Sequence, residues 1–146
     1  MSNQHFRSLE RMFQSAPINK SLIKGADLKV SDHEAELCLA MREELFHAAG
    51  SLHGAIYFKL LDDSAYFAAA SAEEQYFLYT KEYQIRFKRP VTGGKLIAKG
   101  RLLEKGDHEW TAISEIIDEN GKIVASGKGV FVKSNLKLID QKGYSS

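Results

Sequence analysis

Four residues in the stretch LHGAIYFKLLDDSAYFAA carry the strongest chemistry in the chain: His53, Gly54, Asp62 and Asp63. A glycine that opens a helix leaves its backbone amide unpaired, a donor aimed at developing negative charge. A carboxylate held in an apolar setting is a general base or a nucleophile. Gly54 polarising a carbonyl oxygen and Asp62 activating water, or attacking directly, suit acyl transfer or hydrolysis. Asp62 lies eight positions beyond Gly54, so the two are roughly 12 Å apart along one helix at about 1.5 Å per residue. They cannot serve one carbonyl within one chain. If both react, the Gly54 end of one subunit meets the Asp62 of another, and the protein is an oligomer with shared sites.

Other chemistries are weaker. His47, His53 and Asp62 are chemically competent zinc ligands, but their spacing matches no helical ligand pair. No nucleophile motif surrounds a Ser or Cys, and there is no phosphate-binding glycine loop; Gly93-Gly94 reads as a turn. No metal or redox cofactor is therefore expected. Basic residues recur near strand ends, with Arg86, Lys88 and Arg89 before Pro90 and then Lys95, Lys99 and Arg101. Most read as a solvated strand face; Lys88 and Arg89 are the candidates for holding the phosphates of a coenzyme A thioester.

These residues need a scaffold. From Gly54 to Ala72 the chain reads as one helix, rich in Ala, Leu and Phe, free of Pro, and charged only at Lys59, Asp62 and Asp63. A helix apolar on nearly every side must be wrapped by other structure. Ser51 is the expected N-cap, with Gly50 and Gly54 permitting a turn and close approach. Asp63 reads as part of a solvated patch; Asp62 carries a desolvation cost that calls for a partner.

Around this helix the order is simple. Gln4 to Phe13 predicts a short amphipathic helix within residues 1–16, ending before Pro17. Ile18 to Val30 predicts a weak strand, and Ala35 to Met41 a half-buried one by alternation. Four strands follow the central helix: Gln75–Lys88, Lys95–Glu104, Glu109–Asp118 and Lys122–Lys133, the last pair joined at Asn120-Gly121. In the first of these, Tyr83, Ile85 and Phe87 share one face and Thr80, Glu82 and Gln84 the other. Gly127 and Gly129 mark where a strand bends or lets the helix approach. Residues 134–146 form a polar tail expected to be disordered. The fold class is α+β: one domain over 1–146, an antiparallel sheet curled around one long helix.

Composition excludes several functions. With 146 residues, 44% hydrophobic and 27% charged, the chain is an ordinary globular domain. Lys plus Arg at 20 against Asp plus Glu at 19 gives no basic bias toward nucleic acid. The single cysteine, Cys38, forms no internal disulfide and reads as a core residue in a reducing compartment. The N-terminus lacks an apolar signal segment and no run spans a membrane, so a cytoplasmic protein without membrane partners is expected.

LHGAIYFKLLDDSAYFAA resembles the LHGG-x6-D helix of the hotdog-fold acyl-CoA thioesterases, in the phenylacetate-pathway, PaaI-like branch that includes thioesterase superfamily member two. The resemblance covers roughly Leu22 to Val132 by the order of elements. It implies a long helix wrapped in an antiparallel sheet, and a homo-oligomer, dimer or tetramer, acting on an acyl-CoA small molecule. It implies that Gly54 polarises the thioester carbonyl and that Asp62, from the neighbouring subunit, is general base or nucleophile. His53 would sit near the thioester and leaving sulfur, and Thr80 would orient the water. His47 falls where many relatives have an asparagine that also positions the water, and an imidazole offers differently placed donors and acceptors. Ala55 replaces the motif's second glycine and keeps a backbone amide for the substrate. The alternative is a non-catalytic acyl-CoA binding or regulatory hotdog protein; a hotdog dehydratase ranks third, since it leaves Asp62 without a role. Tyr57, Phe58, Tyr66, Phe67 and Tyr83 suit either an aromatic or a fatty pocket, though core packing is their simplest role.

Overall fold

A computed structural model describes residues 2–145. The elements are α1 (Asn3–Ser15), α2 (Pro17–Ser21), β1 (Asp27–Ser31), β2 (Glu34–Ala40), a 3₁₀ turn (Glu43–Leu45), α3 (Gly54–Ala70), β3 (Tyr76–Phe87), β4 (Lys95–Lys105), β5 (Glu109–Ile117), β6 (Ile123–Lys137) and a second 3₁₀ turn (Leu138–Asp140). The strands form one six-stranded sheet in the order β1-β2-β4-β5-β6-β3, antiparallel at every neighbour. The sheet wraps α3, whose residues Ser64 to Ala70 are all buried. The α+β arrangement of a helix inside an antiparallel sheet is thus the observed one.

Close approach between helix and sheet depends on one glycine. A Cβ on Gly100 of β4 would overlap the Ser64 carbonyl of α3, so the helix backbone lies directly on the strand. Gly127 and Gly129, expected to admit the helix, instead admit a ring: a Cβ on either would overlap the Tyr83 side chain.

Several boundaries differ from the sequence reading. Ile18 to Val30 is a short helix followed by a five-residue strand, because Pro17 supplies the first turn of α2. The polar residues after Lys133 continue β6 through Lys137, and Leu138 is buried. Alternating polar composition there marks an exposed strand end, not a tail free of structure. Ser51 does not cap α3; His53 does, its Nδ1 accepting from the Ala55 amide at 2.9 Å.

The most consequential difference lies in β3. The pairing with β6 slips between Thr80 and Glu82, leaving Lys81 as an extra residue. A bulge of this kind re-aims the side chains on either side of it. Thr80 and Tyr83, opposite in a regular strand, both turn toward α3.

At the other end of the sheet, α1 lies over β1. Glu10 Oε2 accepts from the Val30 amide at 2.8 Å, Arg7 Nη2 donates to the Val30 carbonyl at 2.7 Å, and Gln14 Nε2 donates to the Ala26 carbonyl at 3.0 Å.

Candidate active site

The tip of α3 is shaped by the loop before it. His47 Nδ1 accepts from the Ala49 amide at 3.1 Å, so the neutral ring carries its proton on Nε2, which lies 2.9 Å from Ser51 Oγ. The His47 amide in turn bonds the Ser51 carbonyl. His47 therefore braces a self-contained loop, with both ring nitrogens engaged. His53 uses Nδ1 as the helix cap, which leaves the Nε2 proton free at an exposed position. That cap takes up the Ala55 amide, so Ala55 does not offer the substrate donor expected of it. Among the described residues nothing in the chain accepts the Gly54 amide.

The end of β3 closes around the same tip. Phe87, 58% exposed, packs its edge on Tyr57 and lies 3.5 Å from where a Gly54 Cβ would stand. The Lys88 and Arg89 amides both bond the Val124 carbonyl, and Tyr57 donates to the Arg89 carbonyl at 2.7 Å. These two exposed basic residues are thus fixed beside the helix N-terminus. Arg86, Lys99 and Arg101 are elsewhere: with Lys128 they line a cleft of about 690 Å³ formed mainly by β2, β4, β5 and β6. None of the candidate site residues lines that cleft.

Asp62 sits two turns further along α3. Its Oδ1 accepts from Thr80 Oγ1 at 2.9 Å. Burial pushes its carboxyl above the usual range, while the Thr80 bond and the nearby Lys59 ammonium pull it back. Asp63 departs from the solvated patch expected of it. Its side chain is only 13% exposed and pairs with Lys59, whose Nζ is 2.8 Å from Oδ2. This is a charge contact, not a well-aligned hydrogen bond. Burial pushes the Asp63 carboxyl up to about 6, against the pull of Lys59. The i,i+4 spacing of Lys59 and Asp63 is the signal in the sequence for this pair.

His47, His53 and Asp62 do not converge; among the described residues no three His, Cys, Asp or Glu side chains are grouped to hold a metal. No helix is long and apolar enough to cross a membrane. The structure thus separates the candidates into two groups: an amide-bearing tip with His53 and Gly54, and an acid bonded to Thr80. Each has half of what acyl transfer requires.

Comparison with known proteins agrees with that chemistry. The family model of the thioesterase superfamily matches residues 49–125, more than half of the chain, and includes both half-sites except His47. The chain belongs to the thioesterase superfamily. A candidate esterase of Archaeoglobus fulgidus is 27% identical over 115 residues, covering 78% of this chain and 73% of its own length. Two solved structures share the fold. The PaaI protein of E. coli, from the phenylacetic acid degradation operon, superposes with a TM-score of 0.83 at 21% identity, covering 93% of this chain and 97% of that one. Zebra fish thioesterase superfamily member 2 gives 0.76 at 16% identity, covering 87% and 94%. This is the hotdog fold, and membership of the superfamily supports a hydrolase of thioesterase type.

Proposed function

We propose that this thioesterase-superfamily protein hydrolyses an acyl-CoA thioester in a site shared between two copies. The Gly54 amide of one copy polarises the thioester carbonyl, His53 faces the leaving sulfur, and Asp62 of the other copy activates water or attacks. Thr80 holds that carboxylate in place, and Lys88 and Arg89 at the tip supply charge for the coenzyme phosphates. His47 acts indirectly, bracing the loop that presents the tip. The chemistry assigned to these residues needs no metal or redox group.

The observation that carries this reading is the Thr80–Asp62 hydrogen bond, which spends β3 side-chain chemistry on an acid that has no core role. The separation of Gly54 from Asp62, roughly 12 Å along α3, supports a second copy as the source of the missing half. The open long edge of the sheet at β3, where Tyr79 and Phe87 are exposed, is where that copy docks.

The test is thiol release from a panel of acyl-CoA esters with short, long and aromatic acyl groups. Asp62→Asn should lower kcat by about 10² to 10⁴, the usual contribution of a positioned base, with the fold retained. Turnover unchanged in that variant would remove Asp62 from the mechanism. Tight binding of the panel to the native protein with no thiol release would favour a carrier over an enzyme.

A further inference from the structure

Thr80 is not the only residue of β3 turned toward the Asp62 turn of α3. The Tyr83 hydroxyl lies 3.2 Å from the Leu61 carbonyl, Ser114 Oγ of β5 lies 2.8 Å from the same oxygen, and the two hydroxyls bond each other. Leu61 immediately precedes Asp62. A helical carbonyl already has an intrahelical partner, and Ser64 Oγ of α3 also lies 3.2 Å from this oxygen. Tyr83 and Ser114 have one proton each, so with Ser114 donating to the Leu61 carbonyl Tyr83 donates to Ser114, and the pair holds that peptide against the sheet.

Room for this contact is built into β6. Tyr83 pairs with Gly129, two positions from Gly127, and its ring occupies the space where either glycine would carry a Cβ. The ring therefore lies flat on bare backbone and reaches inward, with Phe58 of α3 against it edge-on at 6.0 Å. Tyr83 is three positions beyond Thr80, which places them on opposite faces of a regular strand. The extra residue Lys81 cancels that opposition. One strand thus takes hold of the same helical turn twice, by the Asp62 side chain and by the adjoining Leu61 peptide.

We propose that Tyr83, seated on Gly127 and Gly129 and acting with Ser114 through the Leu61 carbonyl, is a positioning residue that fixes the turn carrying Asp62. This rests on the reading of Asp62 as the reacting carboxylate. The Tyr83 hydroxyl is engaged by Ser114 and the Leu61 peptide and makes no bond to the Asp62 carboxylate, so its effect on Asp62 is one of position.

The test compares Tyr83→Phe, Ser114→Ala and Asp62→Asn in the full-length protein, assayed on whichever acyl-CoA of the panel the native protein turns over fastest. Tyr83→Phe keeps the ring and removes one hydroxyl. Because small misplacements of a reacting group cost rate more than binding, kcat should fall about tenfold with KM within about twofold. Ser114→Ala should act in the same direction, and the double variant should lose less than the product of the two losses. A second measurement needs no turnover: amide exchange across residues 61–65 should quicken by roughly tenfold in Tyr83→Phe while the rest of α3 keeps its protection. Native kcat in both single variants, or unaltered exchange in that turn, overturns the inference. An inactive Asp62→Asn beside an unimpaired Tyr83→Phe refutes the positioning role alone. An active Asp62→Asn refutes the assignment of Asp62 and this inference with it.

Discussion

The two edges of the sheet are treated oppositely. At β1 the exposed backbone is answered by α1, with Glu10 and Arg7, themselves paired at 2.8 Å, occupying the Val30 amide and carbonyl. At β3 the twelve-residue edge strand is left uncovered and carries the large exposed side chains of Tyr79 and Phe87. A long uncovered edge is a liability unless something pairs with it. The protected edge uses side chains to finish the fold; the open one also carries Thr80, which holds Asp62. In the shared-site reading the covered β1 edge leaves β3, where Asp62 is held, as the edge open to a second copy.

The contrast can be broken most strongly at the open edge. Tyr79→Lys with Phe87→Lys places two cations on it and should give a monomer by light scattering. In the shared-site reading the monomer lacks, opposite Asp62, the Gly54 amide that donates to the thioester carbonyl, so turnover should drop by roughly 10² or more. A fully active monomer would mean that one chain holds a complete site.

A smaller effect concerns the charge next to Asp62. Burial raises the Asp62 carboxyl and Lys59 opposes that rise, so a base at this position gains activity as pH increases through a value above the ordinary carboxylate range. In Lys59→Met the opposing charge is gone, and the acid limb of the kcat/KM profile should move to higher pH. A limb that stays in place or moves lower would show that Lys59 does not act on the reacting group.

The smallest effect belongs to the protected edge. Glu10→Ala removes a charged acceptor from the Val30 amide and should cost about 1–3 kcal/mol of stability in denaturant unfolding. Turnover at a temperature where the variant is folded should match the native protein. A loss of activity there would tie the two edges together in a way their separation in the sheet does not suggest.

Much of this was legible in the sequence, for physical reasons specific to each part. The all-round apolarity of residues 54–72 required a wrapped helix, and period-two alternation in Ala35 to Met41 placed β2 within one residue. Gly54 and Asp62 were legible as candidates from their chemistry, and their separation along one helix is what leads the proposal to a second copy. What was hidden depended on register. Nothing in YTKEY announces that Lys81 is an extra residue, so strict alternation put Thr80 and Tyr83 on opposite faces. Asp63 looked solvated because its i,i+4 pairing with Lys59, which lets a carboxylate be buried, was not weighed. The cap was assigned to Ser51 by propensity, whereas the loop closes on itself through His47 and leaves His53 at the helix start.

The shared site is tested most directly by complementation between two inactive variants. Gly54→Pro removes the amide proton and adds the pyrrolidine ring in its place, in ordinary contact with Phe87; proline is well suited to the first helical position, and His53 at φ −68° and ψ 141° already has the backbone that precedes proline. Mixed by co-refolding with Asp62→Asn, half of random dimers are mixed, and one of their two sites then pairs an intact tip with an intact acid. Activity should return to about a quarter of native from two nearly inactive parents, as closed two-fold symmetry requires. No recovery in mixed dimers shown to have formed would contradict a site built from both copies.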